Sequence, residues 1–297
     1  MPLSRRATVL SPKHHLDLKL SLVTTHAFAK EEMHVPIMYS EMAEIAREYP
    51  LLFLKDNPLP VALLGVERDV NAYVDENGNW LASYIPSAIQ VYPFQLAPVK
   101  DKPNEMAVLF DAEAEQLSTT VGMPLFDKDG KAQKVLNVRV DVLRKMKEQE
   151  AITIRMVQSL RDAGLLVERA IRIRPTDSDD RKLTGVEFVN EQALNQMPHD
   201  AFAKLRDAGV LPLIYAHLLS VANLRQGIIA RGYVDKSKPN TGVSMVDVDS
   251  FLAQSRASGA PAQQTKTDSN LDFDLLSDGG DLDLSDLSKV TRKKDMH

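Results

Sequence analysis

The chain has 297 residues, of which 44% are hydrophobic and 26% charged, an ordinary balance for a globular protein. It contains no cysteine, which excludes a disulfide framework, a thiol nucleophile and thiolate-ligated metal sites. The net charge is −5, but the stretch from Asp268 to Asp286 holds seven Asp and no Lys or Arg. The preceding body is therefore close to neutral and has no global attraction for nucleic acid.

We expect no secretory signal in the N-terminal region. Arg5 and Arg6 are not followed by the apolar stretch of a secretory signal. No apolar run in the chain approaches the roughly 18 residues that span a bilayer. We therefore expect no membrane insertion and a cytoplasmic location.

The first half of the chain is rich in predicted strands. Leucines alternate with polar residues from Leu16 to Leu22, which predicts a half-buried strand. Ser40 is a predicted N-cap for a short helix that Pro50 ends. Asn77-Gly78 predicts a hairpin turn. Further strands are predicted at residues 51–54, 61–66, 72–74, 80–84 and 106–110, and a second turn at residues 126–130.

Helical periodicity dominates the second half. A long helix is predicted from Lys134 to Ala163, with Gly164 just past its end and Asn190 as the cap of a later short helix. Strands are predicted at residues 165–173 and 183–189, helices at 199–208 and 213–230, and one or two helical turns at 245–252. The predicted fold is α+β, a single domain with a β-rich first half and a helical second half.

The predicted domain organisation has four parts. They are a flexible arm at residues 1–11, the α+β domain at 12–235, a partly ordered linker at 236–254, and a disordered acidic tail at 255–297. The tail is too polar to fold alone. Apolar and acidic residues alternate within it, a pattern typical of segments that dock onto partners and equally of solubilising tails.

Three polar residues share the helix predicted at 213–230. His217 and Ser220 lie three apart and therefore on one face, with Tyr215 nearby. A catalytic pair needs a base within hydrogen-bond reach of a nucleophile and a third group that orients the base. The alternative is a structural histidine, neutral and hydrogen-bonded in a largely apolar helix, and we favour it.

An aromatic and proline cluster is the second candidate site. It contains Trp80, Tyr84, Tyr92 and Phe94. It is either a rigid loop packed against the sheet, with Trp80 buried against residues 92–94, or a groove for an extended peptide or another ligand.

No metal or cofactor site is expected. His14 and His15 are adjacent on a predicted strand edge and would point to opposite faces. Asp127-x-Asp129-Gly130 lacks the later ligands of a calcium loop.

A series of short segments in fixed order carries a family resemblance. They include His34-Val35-Pro36-Ile37, Asn71-Ala72-Tyr73-Val74-Asp75, Tyr84-Ile85-Pro86, Tyr92-Pro93-Phe94 and Ile214-Tyr215-Ala216-His217-Leu218. Over residues 12–235 the chain resembles the SapC-like family of bacterial proteins.

The resemblance implies an association with surface-layer or outer-membrane transport systems. It favours a non-enzymatic accessory or adaptor protein with a protein or peptide partner. An enzyme or enzyme subunit acting on a peptide or small molecule is the alternative. The oligomeric state is not predicted.

Overall fold

The computed structural model describes five stretches of chain, residues 6–21, 25–99, 102–174, 181–231 and 242–245. The expectations for the tail at 255–297, for residues 246–252 and for Leu22 lie outside the described residues.

The described residues form short strands in the first half and most of the helices in the second. The strands are β1 (Ala7–Val9), β2 (Lys19–Leu20), β3 (His34–Pro36), β4 (Leu51–Leu54), β5 (Val61–Leu63), β6 (Phe94–Val99), β7 (Lys102–Asp111), β8 (Leu117–Ser118), β9 (Met123–Pro124), β10 (Leu166–Arg174), β11 (Arg181–Val189) and β12 (Gly242–Met245). The α-helices are α1 (Pro12–His15), α2 (Met42–Glu48), α3 (Ser87–Gln90), α4 (Lys134–Asp162), α5 (Glu191–Asn195), α6 (His199–Asp207), α7 (Leu211–Ser220) and α8 (Asn223–Gln226). This arrangement confirms the predicted α+β class.

A six-stranded antiparallel sheet joins the two halves of the chain in the order β12-β10-β11-β4-β5-β3. Its centre is apolar, and Leu51, Leu52 and Phe53 of β4 are all fully buried. A strand covered on both faces has a continuous apolar run instead of an alternating one, as the sequence of β4 shows. The pairing of Phe53 with Glu187 brings β4 against β11.

The other two sheets have three strands each, in the orders β1-β7-β6 and β8-β2-β9. Strand β1 lies within the segment predicted as a flexible arm, and Arg6 beside it donates its N–H to Asp111 Oδ1 at 3.0 Å. The structure therefore differs from that expectation over Ala7–Val9, because the edge of β7 supplies hydrogen-bond partners for this backbone.

The prediction of a strand from Leu16 to Leu22 was wrong over most of the residues that the structure describes. Only Lys19–Leu20 is a strand, and Pro12–His15 before it is one helical turn, so His14 and His15 do not lie on a strand. The carbonyl of Ser11 accepts the N–H groups of both histidines, and His15 Nδ1 accepts the N–H of Ser11. Pro at the first position suits such a turn.

Helix α2 begins differently from the prediction. Ser40 is not its cap, because a 3-10 turn over Tyr39–Glu41 precedes α2. The Glu41 carboxylate accepts the Met38 N–H at 3.1 Å and so satisfies the backbone at the start of the turn. Pro50 follows the helix end, as predicted.

The long helix and its boundary follow the sequence closely. Helix α4 ends at Asp162, and Gly164 adopts φ +65°, a left-handed conformation that costs glycine little. Asn190 caps α5, since its side chain accepts the Ala193 N–H at 3.1 Å.

The helix predicted at residues 213–230 is broken in the structure. It divides into α7, α8 and a 3-10 turn at Ile228–Ala230. At the first junction the hydrogen-bond spacing changes from four residues to three, since the Ala222 N–H donates to the Leu219 carbonyl. Gly227, with extended backbone, ends α8.

Strand β12 makes up the whole of the last described stretch and pairs with β10, so that Met245 lies opposite Ile171. Met245 is therefore part of a strand, although the sequence predicted the start of a helical turn there. The pairing at the edge of β10 explains the difference.

No single helix among the described residues is long and apolar enough to cross a membrane. The pair His199–Asp207 and Leu211–Ala230 meets the length and composition criteria only together, with a bend of 94° between its members.

Candidate functional site

His217 lies in the core, between two strands of the large sheet. Its side chain is fully buried and packs near the rings of Phe53 and Phe188, with ring centres 5.2 and 5.5 Å away. The Val189 N–H donates to Nε2 at 3.1 Å, and Nδ1 lies 2.7 Å from the Leu51 carbonyl oxygen. Nδ1 is therefore the protonated nitrogen of a neutral ring.

The imidazole ring lies where the next hydrogen-bonded pair between β4 and β11 would otherwise form. Glu187 pairs with Phe53, so continuing the register by two residues would place Val189 opposite Leu51. The Lys55 N–H bonds to the Gly185 carbonyl, which makes every second pair in this register a hydrogen-bonded one. The imidazole replaces the direct bond between Val189 and Leu51 and so bridges β11 and β4.

Ser220 completes the backbone bonding of the same strand residue. Its Oγ accepts the Leu51 N–H at 2.9 Å and donates to the His217 carbonyl at 2.7 Å. Leu51 thus has its carbonyl bound by one side chain of α7 and its N–H by another. The structure brings His217 and Ser220 together through backbone contacts, and the pair has the hydrogen bonds of a structural anchor.

Burial lowers the pKa of His217 to about 4, although its bond to the Leu51 carbonyl opposes the shift. The cause is the high cost of placing an imidazolium in an apolar core. A base that stays neutral with both nitrogens bonded has no free position for accepting a proton from a nucleophile.

Two carboxylates of α2 and its preceding turn hold the loop that contains Tyr84. Buried Glu41 accepts the Tyr84 hydroxyl at 2.8 Å and the Ser87 N–H at 2.7 Å. Glu48 accepts the N–H groups of Ser83 and Tyr84. Desolvation raises the pKa of Glu48, but these hydrogen bonds together outweigh it and lower that pKa below its ordinary value.

This anchoring explains why the strand predicted at residues 80–84 does not form. The amides that a ladder would need are bound by carboxylates, and only an isolated bridge joins Val74 to Trp80. The Asp75–Gly78 turn between them is present, with the Gly78 N–H bonded to the Asp75 carbonyl.

Trp80 is half-buried and belongs to a series of aromatic contacts. Its indole N–H donates to the Tyr49 hydroxyl at 2.8 Å, and that hydroxyl donates to the Tyr84 carbonyl. Its aromatic contacts are with Tyr73 and His26, and no ring pair joins it to Tyr92 or Phe94 as the sequence predicted. Desolvation raises the pKa of Tyr49, so its phenol remains a neutral donor and acceptor.

Tyr92 and Phe94 lie at the start of β6 and are both buried. Phe28 stacks on Tyr92 with ring centres 4.2 Å apart, and the Tyr92 hydroxyl donates to Asp111 Oδ2 at 3.2 Å. Since their rings are covered by other residues, Tyr92 and Phe94 offer little surface to a peptide. The aromatic residues are connected through the side chains of His26 and Phe28.

Tyr215 is the exposed member of the predicted set, with 49% of its surface accessible. Leu219, one helical turn later on the same face of α7, is 74% exposed. Pro212 and Ala222 are also exposed and lie at compatible spacing. This face, Pro212, Tyr215, Leu219 and Ala222, is hereafter the α7 stripe.

Sequence reasoning missed Glu41, Glu48 and Leu219. The two carboxylates are seven residues apart, a spacing that places them on one helical face, which was the available signal. Leu219 gave none, because leucine in an apolar helix is ordinarily expected in the core.

The described residues contain no group of three His, Asp or Glu side chains that could hold a metal ion.

Comparison with known proteins gives a family and no further relative. A family model described as SapC matches residues 10–226. No curated protein and no solved structure matches the chain. Because the matched stretch covers well over half of the sequence, the chain belongs to the SapC family.

Proposed function

We propose that the protein is a non-enzymatic adaptor that binds a protein or peptide partner through the α7 stripe. The observation that carries this proposal is the exposure of Leu219, at 74%, in a helix whose opposite face is buried through Leu213, Ile214, His217 and Ser220. Burying a leucine side chain contributes roughly 1.5–3 kcal/mol, so covering Leu219 together with Tyr215 would favour association with a partner.

The internal bonding of the polar residues supports an adaptor over an enzyme. His217 and Ser220 have their hydrogen-bonding groups directed at Leu51, Val189 and the helix backbone. Glu41 and Glu48 are engaged by loop amides. These contacts use the side chains that acid–base or nucleophilic catalysis would need.

The systems that we propose the adaptor serves are surface-layer or outer-membrane transport, with the adaptor acting from the cytoplasm. Membership of the SapC family supports this proposal, through the resemblance noted in the sequence. The α7 stripe would supply the contact with a protein of such a system.

Site-specific photo-cross-linking in native cells tests the adaptor function. A photoreactive residue at position 219 should give a discrete adduct with a partner protein. The matched control is position 138 on α4, where Val138 is also exposed, at 46%. Absence of an adduct at 219, or identical adducts at both positions, would contradict the proposal.

A further inference from the structure

The first strand of the chain has an open edge. Strand β1 pairs with β7 along one side only and is an outermost strand in the order β1-β7-β6. We infer that this edge pairs with the same edge of a second copy of the chain, so that the protein forms a symmetric dimer. The inference does not involve the α7 stripe and goes beyond the proposed function.

The hydrogen bonds to β7 show which backbone groups of β1 are already used. The Arg6 carbonyl accepts the Ala112 N–H at 2.9 Å, and the Leu10 N–H donates to the Val108 carbonyl at 2.8 Å. In an antiparallel pair, alternate residues direct both backbone groups at the partner strand. The even-numbered residues from 6 to 10 therefore bond to β7.

The odd-numbered residues Ala7 and Val9 direct their N–H and C=O groups away from β7. No hydrogen bond joins these groups to any other residue that the structure describes. Both residues are exposed, Val9 to 55%. Each has one backbone donor and one acceptor, and their spacing is that of a strand. A further antiparallel strand is the partner that satisfies all of these groups.

A second copy of β1 matches this edge in a register centred on Thr8. The two-fold axis then places Ala7 opposite Val9 of the second copy, twice, and Thr8 opposite its own counterpart. The free groups of Ala7 and Val9 meet in hydrogen-bonded pairs, and their apolar side chains lie on one face. Two threonines form a favourable cross-strand pair. Arg6 lies opposite Leu10, so like charges do not meet.

The sequence of β1 leaves its edge open to this pairing. Sheets block exposed edges with proline, charged side chains or bulges. Three other outer strands contain a proline, which is Pro36 in β3, Pro98 in β6 and Pro124 in β9. Ala7–Val9 has neither a proline nor a charge, and its register with β7 is regular.

An extended peptide of another protein can also add to a sheet edge, but the length of β1 favours the copy. The strand has three residues, and a helical turn begins at Pro12. A longer peptide would extend past the free groups, whereas a second β1 ends where they end. An interface of this length lies below the roughly 1,000 Å² of a stable complex, so the dimer should dissociate on dilution.

Sedimentation equilibrium of the full chain over a concentration series measures the association. The average mass should rise with concentration from 33.0 kDa towards twice that value. Val9→Pro removes one outward N–H and leaves the bonds to β7 in place. This variant should therefore keep the melting temperature of the wild type and remain monomeric over the same concentrations.

Single cysteines test the register, because the chain has no cysteine of its own. In the proposed dimer the two copies of Thr8 form a non-hydrogen-bonded pair, with Cα atoms about 4.5 Å apart, a separation that a disulfide can bridge. The two copies of Val9 lie diagonally, about 7–8 Å apart, beyond that reach. Thr8→Cys should therefore form a disulfide-linked dimer at least about tenfold faster than Val9→Cys under mild oxidation. Exposure alone would favour Val9, since Thr8 is half-buried.

The contrary outcomes overturn the dimer without touching the adaptor proposal, because none of these variants changes the α7 stripe. A mass of 33.0 kDa at every concentration, with no cross-linking of Thr8→Cys, would show that β1 does not pair with itself. Equal or faster cross-linking of Val9→Cys would contradict the register. Association that persists in folded Val9→Pro protein would assign the dimer to another surface.

Discussion

His217 shows how a single side chain can replace a backbone pair. Between Glu187–Phe53 and the place where Val189 would face Leu51, the two strands separate enough to admit an imidazole. A neutral imidazole is one donor and one acceptor, and it therefore matches one free N–H and one free carbonyl. The residue ties α7 to two strands that are distant in sequence.

Replacing this histidine should destabilise the fold. His217→Ala leaves the Val189 N–H and the Leu51 carbonyl unpaired in the core and creates a small void. We expect a loss of about 1–3 kcal/mol in the free energy of unfolding, measured by urea denaturation. Tyr215→Ala, an exposed change on the same helix, is the control and should cost little. Equal midpoints for the wild type and His217→Ala would contradict the structural role.

The same residue should make stability depend on pH. The pKa of His217 is about 4 in the folded protein against 6.5 for an ordinary histidine, so unfolding takes up a proton between these values. The contribution of the lowered pKa to the free energy of unfolding is fully present above about pH 6.5. It is lost as the pH falls towards 4, and the loss amounts to about 3 kcal/mol in all.

The comparison of wild type with His217→Ala isolates this effect. The pKa of His26 and of His34 is also lowered by burial, but both are present in each protein and cancel. The stability advantage of the wild type should shrink as the pH falls from 6.5 to 4 and should close or reverse near pH 4. A difference that stays constant over this interval would contradict the lowered pKa.

At the scale of elements, the loop that contains Tyr84 is held by hydrogen bonds to two carboxylates and not by strand pairing. Glu41 receives three hydrogen bonds, from Met38 N–H, Tyr84 Oη–H and Ser87 N–H. The path of the loop after Trp80 is therefore set by hydrogen bonds to side chains of α2 and of the turn that precedes it.

Glu41→Gln should loosen this loop. Both carboxylate oxygens of Glu41 accept hydrogen bonds, and the change replaces one of them by an NH₂ group, which cannot accept. At least one N–H or O–H donor therefore loses its partner, at a cost of about 1–3 kcal/mol in the free energy of unfolding. The matched control is Glu44→Gln on the exposed side of α2, which should change stability by about 0.5 kcal/mol or less. Faster hydrogen exchange of the Ser87 amide is expected only for Glu41→Gln. If both variants exchange this amide equally fast, the anchoring is contradicted.

Local signals in the sequence predicted several elements well. Continuous apolar residues marked β4, helical periodicity ending at Gly164 marked α4, and Asn190 marked the start of α5. One failure has a clear cause, which is competition for backbone amides from a side chain. Glu48 binds the Ser83 and Tyr84 amides in the segment predicted as a strand at residues 80–84.

At the scale of the whole molecule, the large sheet combines strands from both halves of the chain. The pairing of β4 with β11 joins residues more than 100 positions apart, and no local pattern indicates which strands will meet. The class of fold follows from element types, whereas strand order depends on such long-range packing.

The candidate site divides in the same way. His217 in an apolar helix indicated a buried, hydrogen-bonded residue, and the structure shows those bonds. The α7 stripe was not predictable, because composition does not distinguish a covered face of an apolar helix from an open one. Exposure of Leu219 depends on which elements pack against α7.

The most direct test of the adaptor proposal is a paired measurement of stability and partner binding on one variant, Leu219→Asp. Its melting temperature and its yield of the partner recovered by cross-linking at position 215 are compared with those of the wild type. We expect an unchanged melting temperature, because an exposed side chain contributes little to the fold, together with loss of the partner. An unchanged partner yield in folded Leu219→Asp protein would contradict the assignment of the α7 stripe as the docking surface.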